Sequence, residues 1–135
     1  MKEKTILVIE DDEMNLKLVR TLLKVCRYGV IEAMDAENGI ELAREHHPDL
    51  ILMDIQLPGM DGLKATGIIK NDPDLKEIPV VAITAFAMEG DEEKALKAGC
   101  DGYIVKPIDT RKFCATIETY CNNKGKDIDS GKEVS

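Results

Sequence analysis

The chain has 135 residues, of which 44% are hydrophobic and 33% charged, and its formal net charge is −8. That length suits one domain around one hydrophobic core, and the composition excludes disorder of the whole chain. The acidity argues against a nucleic-acid footprint, which needs a basic face, and the apolar stretches are too short to span a bilayer.

Apolar runs of strand length alternate with amphipathic helical stretches, the signature of parallel βαβ units. Met1, Lys2, Glu3 and Lys4 lead straight into the first strand with no signal-peptide core, so a cytoplasmic protein is expected. Strand one is predicted over residues 5–10 and helix one over 13–26. Leu16, Val19, Leu22, Leu23 and Cys26 share one face of that helix, and Asp12 is its candidate N-cap. Strand two is predicted over 29–34 and helix two over 36–47, closed by Pro48. Strand three covers 50–54. A turn-rich loop from Leu57 to Gly62 leads into a helix ending near Asn71, and Asn71, Asp72, Pro73 and Asp74 mark the next loop. Strand four covers 80–84, and helix four 88–98, stopped by Gly99. Strand five covers 102–105 and helix five 110–122, with Phe113, Ile117, Tyr120 and Cys121 as its apolar face. Residues 123–135 are polar and aperiodic and read as a disordered tail. Five strand–helix pairs use all of 1–122, which leaves no room for a second domain.

The four cysteines, Cys26, Cys100, Cys114 and Cys121, have neither CxxC spacing nor clustered histidines, so zinc is not indicated. Buried, reduced thiols are the expectation, and disulfides the alternative for a secreted chain.

Four of the apolar strands end on polar groups. The first runs into Glu10 and Asp11, the third into Asp54, the fourth into Thr84 and the fifth into Lys106. In an open parallel α/β sheet, ligands bind outside the carboxyl ends of the strands. These distant residues therefore converge on one edge. Strand two ends in Ala33 and Met34 with no comparable group, which fits a doubly wound, flavodoxin-like sheet of order 2-1-3-4-5. Glu10 and Asp11 repel one another unless a hard divalent cation offsets their charge. As an isolated pair they are weak evidence for a metal, and a solvated acidic loop at a helix N-terminus is the plainer reading. Asp54 ends an almost wholly apolar strand, where an unpaired carboxylate is costly. It is a nucleophile, a metal ligand or the salt-bridge partner of Lys106. As a nucleophile it would form an aspartyl phosphate, with a metal neutralising the transferring group. Thr84 offers a hydroxyl to a phosphoryl oxygen, although alone it is an ordinary β-branched strand residue. Lys106 precedes Pro107, and a cis bond there would aim its ammonium into the site.

With these groups in view, the chain resembles the receiver domain of two-component response regulators. The resemblance rests on Ile9-Glu10-Asp11-Asp12, on the run from Leu52 through Asp54 and Pro58 to Gly62, on Pro79 to Ala85, and on Gly102 to Pro107. It covers roughly residues 4–122 and is closest to stand-alone receivers of the bacterial cell-cycle type. It implies that Asp54 is the phosphoacceptor and that Mg²⁺ is held by Asp11, Asp54 and the Gln56 carbonyl, with Glu10 acting through water. It implies that Thr84 and Lys106 sense the phosphoryl group, and that Tyr103 follows Thr84 inward as a switch. The donor would be a sensor histidine kinase or a histidine phosphotransfer protein. A downstream protein would read the helix four–strand five–helix five face. The protein would be a monomer or a weak phosphorylation-dependent dimer that catalyses its own phosphorylation and dephosphorylation, with no turnover on a separate substrate. Met1 and the polar tail fit a free-standing protein.

Three other readings compete with this one. A haloacid-dehalogenase-type phosphatase needs a second Asp two residues after the nucleophile, where this chain has Gln56. A nucleotide- or flavin-binding module would want a GxGxxG after strand one, which is missing. A phosphorylation-independent pseudo-receiver is the remaining alternative, and the complete set Asp11, Asp54, Thr84 and Lys106 speaks against it. Some positions depart from the usual receiver pattern away from the site, with Gly29 opening strand two. Arg27 stands where Gly often closes helix one, and Gly39 lies inside helix two, at about 1 kcal/mol relative to Ala.

Overall fold

The computed structural model describes residues 4–55, 62–84, 91–105 and 108–122. In chain order the elements are β1 (Thr5–Ile9), α1 (Glu13–Val25), β2 (Gly29–Ala33), α2 (Ala36–His46), β3 (Leu50–Asp54), α3 (Gly62–Asn71), β4 (Val80–Thr84), α4 (Asp91–Ala98), β5 (Gly102–Val105) and α5 (Phe113–Asn122). The five strands form one parallel sheet of order β2-β1-β3-β4-β5, the expected α/β topology. The expected start of helix four at Met88, Gln56 and the loop after β3, Lys106 with Pro107, and the tail 123–135 lie outside the described residues.

The sheet separates two apolar layers because side chains alternate along each strand. Leu7, Ile9, Ile51, Met53, Val80 and Ala82 face α2, α3 and α4, where they meet Ile40, Ala43, Ile69 and Ala95. Ile6, Val8, Leu50, Leu52, Val81 and Ile83 face α1 and α5, where they meet Val19, Leu23, Phe113 and Ile117. Every residue of β3 and β4 is buried, as two-sided coverage of central parallel strands requires.

Local chemistry sets the element ends. The Asp12 carboxylate accepts the Met14 N–H at 2.9 Å and caps α1 as expected. Arg27, the residue after the C-cap Cys26, takes the left-handed conformation, φ 73°, without the glycine usual there. Asp35 caps α2 by accepting the Asn38 N–H at 2.8 Å, and His47, φ 48°, turns the chain before Pro48. Helix α5 begins at Phe113, three residues later than the sequence suggested. The Asp109 carboxylate takes the Arg111 N–H and its carbonyl takes the Lys112 N–H, which holds a turn there instead. Gly39 explains its own place in α2, since a Cβ there would run into the Ile9 side chain. The glycine lets α2 approach β1 closely.

Polar ties fasten the layers to the sheet. Arg20 Nη1 on α1 donates to both carboxylate oxygens of Glu32 on β2, at 2.8 and 3.1 Å. Lys70 at the end of α3 donates to Asp101 at 2.8 Å and to the Ile78 carbonyl at 2.9 Å, and the same Asp101 carboxylate accepts the Val80 N–H. The thiols depart from the expectation of four reduced cysteines. Cys26 and Cys114 are joined in a disulfide, while Cys100 and Cys121 stay buried outside it. Spacing in sequence gave no sign of the pair, because α1 and α5 become neighbours only when the sheet forms. Among the described residues, no helix is long and apolar enough to cross a membrane.

Candidate functional site

Strand register assembles the site. Ile9 pairs with Met53, so the next residues, Glu10 and Asp54, leave the sheet side by side. Asp54 pairs with Ile83, which puts Thr84 one step beyond it on the neighbouring strand, and Thr84 in turn pairs with Val105. The carboxyl ends of β1, β3 and β4 thus deliver two carboxylates and a hydroxyl to one edge.

The turn after β1 adds a third carboxylate. The Glu10 carboxylate accepts the Asp12 N–H at 3.2 Å while Asp12 caps α1, so residues 10–12 fold back over the end of the strand. Carboxylate oxygens of Glu10, Asp11 and Asp54 lie within 4.8 Å of one another. Glu10 is 2% exposed and Asp54 6%, while Asp11 is exposed. Like charges this close, two of them nearly out of water, repel one another, and a cation between them offsets that repulsion. Oxygen-only donors are the set a hard divalent ion such as Mg²⁺ takes, so the residues present fit that ion.

Thr84 is fully buried. Tyr103, half-buried on β5, is the register partner of Ala82 and packs against the α2–α3–α4 layer. The structure therefore brings together Glu10, Asp11 and Asp54, ends the adjacent strand with Thr84, and sets Tyr103 one strand further on. Gln56 and Lys106 fall outside the described residues.

One positioning residue went unread in the sequence. A Cβ on Gly62 would lie 2.5 Å from the Asp54 carbonyl oxygen and 2.6 Å from the Ile55 Cα. Its N–H points back to the Ile55 carbonyl at 3.3 Å. The first residue of α3 thus rests directly on the backbone that carries Asp54. The Asp61-Gly62 dipeptide signals a turn, but nothing in its spacing says what the glycine touches.

Comparison with known proteins decides the family. The sequence profile described as "Response regulator receiver domain" matches residues 6–118. The chain belongs to this family. Among curated receivers, the polar-differentiation response regulator DivK of Brucella ovis is 50% identical over 117 residues, covering 87% of this chain and 95% of its own. The receiver domain of the Pseudomonas aeruginosa sensor histidine kinase PA1611, solved with a magnesium ion coordinated in its active-site cleft, is 30% identical. It superposes with a TM-score of 0.83 over 90% of this chain and 99% of its own. A response regulator structure from Chloroflexus aurantiacus, 23% identical, shares the fold with a TM-score of 0.86 over 90% of this chain and 99% of its own. This receiver domain is thus a component of two-component signalling, similar over nearly its whole length to DivK, and its acidic cluster is compatible with a phosphorylation site.

Proposed function

We propose that Asp54 is the phosphoacceptor of this receiver domain. The observation that carries the reading is the cluster of Glu10, Asp11 and Asp54 carboxylates within 4.8 Å at the carboxyl edge of the sheet. An Asp54 oxygen attacks the phosphorus of a phosphohistidine on a sensor kinase or phosphotransfer protein. The P–N bond breaks, and the imidazole leaves with the electron pair and picks up a proton. Glu10, Asp11, Asp54 and Gln56 would hold Mg²⁺, which when bound neutralises charge on the transferring group. Thr84 donates its hydroxyl to a phosphoryl oxygen, and Lys106 pairs with the new charge. Moving Thr84 pulls on β4, and Tyr103, one strand away, follows. The α4–β5–α5 face then changes for a downstream protein to read.

The approach of the donor is supported by the surface next to the cluster. Met14, in the first turn of α1, is 79% exposed, and with Leu18 and Met34 it lines an open groove between α1 and the end of β2. Apolar side chains along this groove offer a protein partner surface to dock on. The chain acts as a switch that catalyses its own phosphorylation and hydrolysis, with no turnover on a separate substrate. It works as a monomer or a weak phosphorylation-dependent dimer. Cytoplasmic residence goes with this reading, because phosphohistidine donors draw on ATP.

The test is intact mass after incubation with acetyl phosphate, with and without Mg²⁺, on the wild type and on Asp54→Ala. A gain of one phosphoryl group that needs Mg²⁺ and is lost in the variant is expected. A folded wild type that takes up nothing, from acetyl phosphate or from a phosphohistidine protein, rejects the proposal.

A further inference from the structure

The disulfide lies on the sheet face that carries α1 and α5. Cys26 is the residue that ends α1, its N–H still donating to the Leu22 carbonyl at 3.0 Å. Cys114 is the second residue of α5, and the two Cα atoms are 5.6 Å apart across 88 residues of sequence. Cys114 is exposed and Cys26 partly so, whereas Cys100 and Cys121 are buried. A cleft of about 360 Å³ opens beside the bond, lined by Cys26, Cys114, Cys121, Lys4, Arg27 and Glu118 among others. Reagents can therefore reach this bond from solvent, and two of the three charged side chains lining the cleft are cations. The thiolate is the form that attacks a disulfide, and it needs such access.

We propose that Cys26 and Cys114 form a reversible thiol–disulfide modification site that exchanges with low-molecular-weight disulfides. The Cys114 thiolate attacks one sulfur of the small disulfide, whose S–S bond breaks and releases one thiolate. The Cys26 thiolate then attacks Cys114 Sγ in the mixed disulfide, forming the Cys26–Cys114 bond and expelling the second small thiolate. Two protein thiols are oxidised, one small disulfide is reduced to two thiols, and the protein's two protons pass to the leaving thiolates. Exposed disulfides are the labile ones, and in reducing compartments such bonds are typically transient and redox-sensing. In its oxidised form this site bonds the end of α1 to the first turn of α5, so α5 no longer moves independently of α1.

The test equilibrates the whole protein with glutathione and glutathione disulfide over a range of ratios, quenches with acid, alkylates in denaturant and reads intact mass. Four labels at the reducing end and two at the oxidising end are expected, because the chain has four cysteines and one pair closes. Peptide mapping should find Cys26 linked to Cys114. Cys114→Ser, a change at an exposed position, should form no internal bond at any ratio, and should carry three labels, or two labels and one glutathione on Cys26 at the oxidising end. Four labels at all ratios would refute the proposal, as would a link from Cys114 to Cys121. So would a bond that glutathione reduces only after the protein is unfolded, which would make it a structural staple. Uptake of phosphate at Asp54 does not enter this readout, so its failure and that of the phosphoacceptor reading are separately visible.

Discussion

Single carboxylates do different work in this molecule according to what faces them. Asp72 accepts the Asp74 N–H at 2.9 Å and the Arg44 guanidinium at 3.2 Å, and the backbone bond first, then Arg44, holds its carboxyl below the ordinary 3.8. A carboxyl depressed in the folded state adds stability that is whole above its unfolded pKa and is lost as pH falls through the folded one. The urea midpoint of the wild type should therefore decline more steeply from about pH 5 to about pH 2 than that of Asp72→Asn. Parallel profiles would show that the capped turn contributes nothing. The place of Asp54 at the carboxyl edge, beside the acids after β1, was legible in the sequence, because an acid at the end of an apolar strand stands out. Thr84 was legible only through its company, since a threonine ending a strand is ordinary. Gly62 and the Cys26–Cys114 pair were not legible, because each depends on an approach between segments that only the folded sheet brings about.

At the scale of elements, strand register is what turns a list of polar residues into a site. All five strands fall where their apolar runs place them, to within a residue, since buried parallel strands write themselves as continuous hydrophobic runs. Helix starts are marked unevenly in the sequence. Asp12 stood out before an amphipathic run, whereas the delay of α5 to Phe113 comes from a side-chain turn at Asp109 that competes with the helix. The contact between α3 and β3 gives a sharp prediction. Gly62→Ala pushes a methyl into the backbone of Asp54 and Ile55 and should lower stability by about 1–3 kcal/mol, the usual range for overpacking. Urea unfolding measures it. A wild-type midpoint would mean that α3 can slide away from the strand without loss.

For the whole molecule, the sheet acts as a partition. Ile40 belongs to the layer of α2, α3 and α4, and Ile117 to the layer of α1 and α5. Each replaced by valine should lose about 0.5–1.5 kcal/mol, and the double variant should lose the sum to within about 0.3–0.5 kcal/mol. A larger departure would mean that packing strain crosses the sheet. The partition also has a consequence for anyone who recombines this chain with a relative. Leu7 and Ile9 belong to one layer and Ile6 and Val8 to the other, so the two packing neighbourhoods are interleaved residue by residue along β1. A crossover in the middle of a strand mixes parents in both layers at once. A chimera that alternates parents at every second strand position, with the matching helices, keeps each neighbourhood whole. The natural unit of exchange in this fold is thus a face of the sheet and not a stretch of sequence.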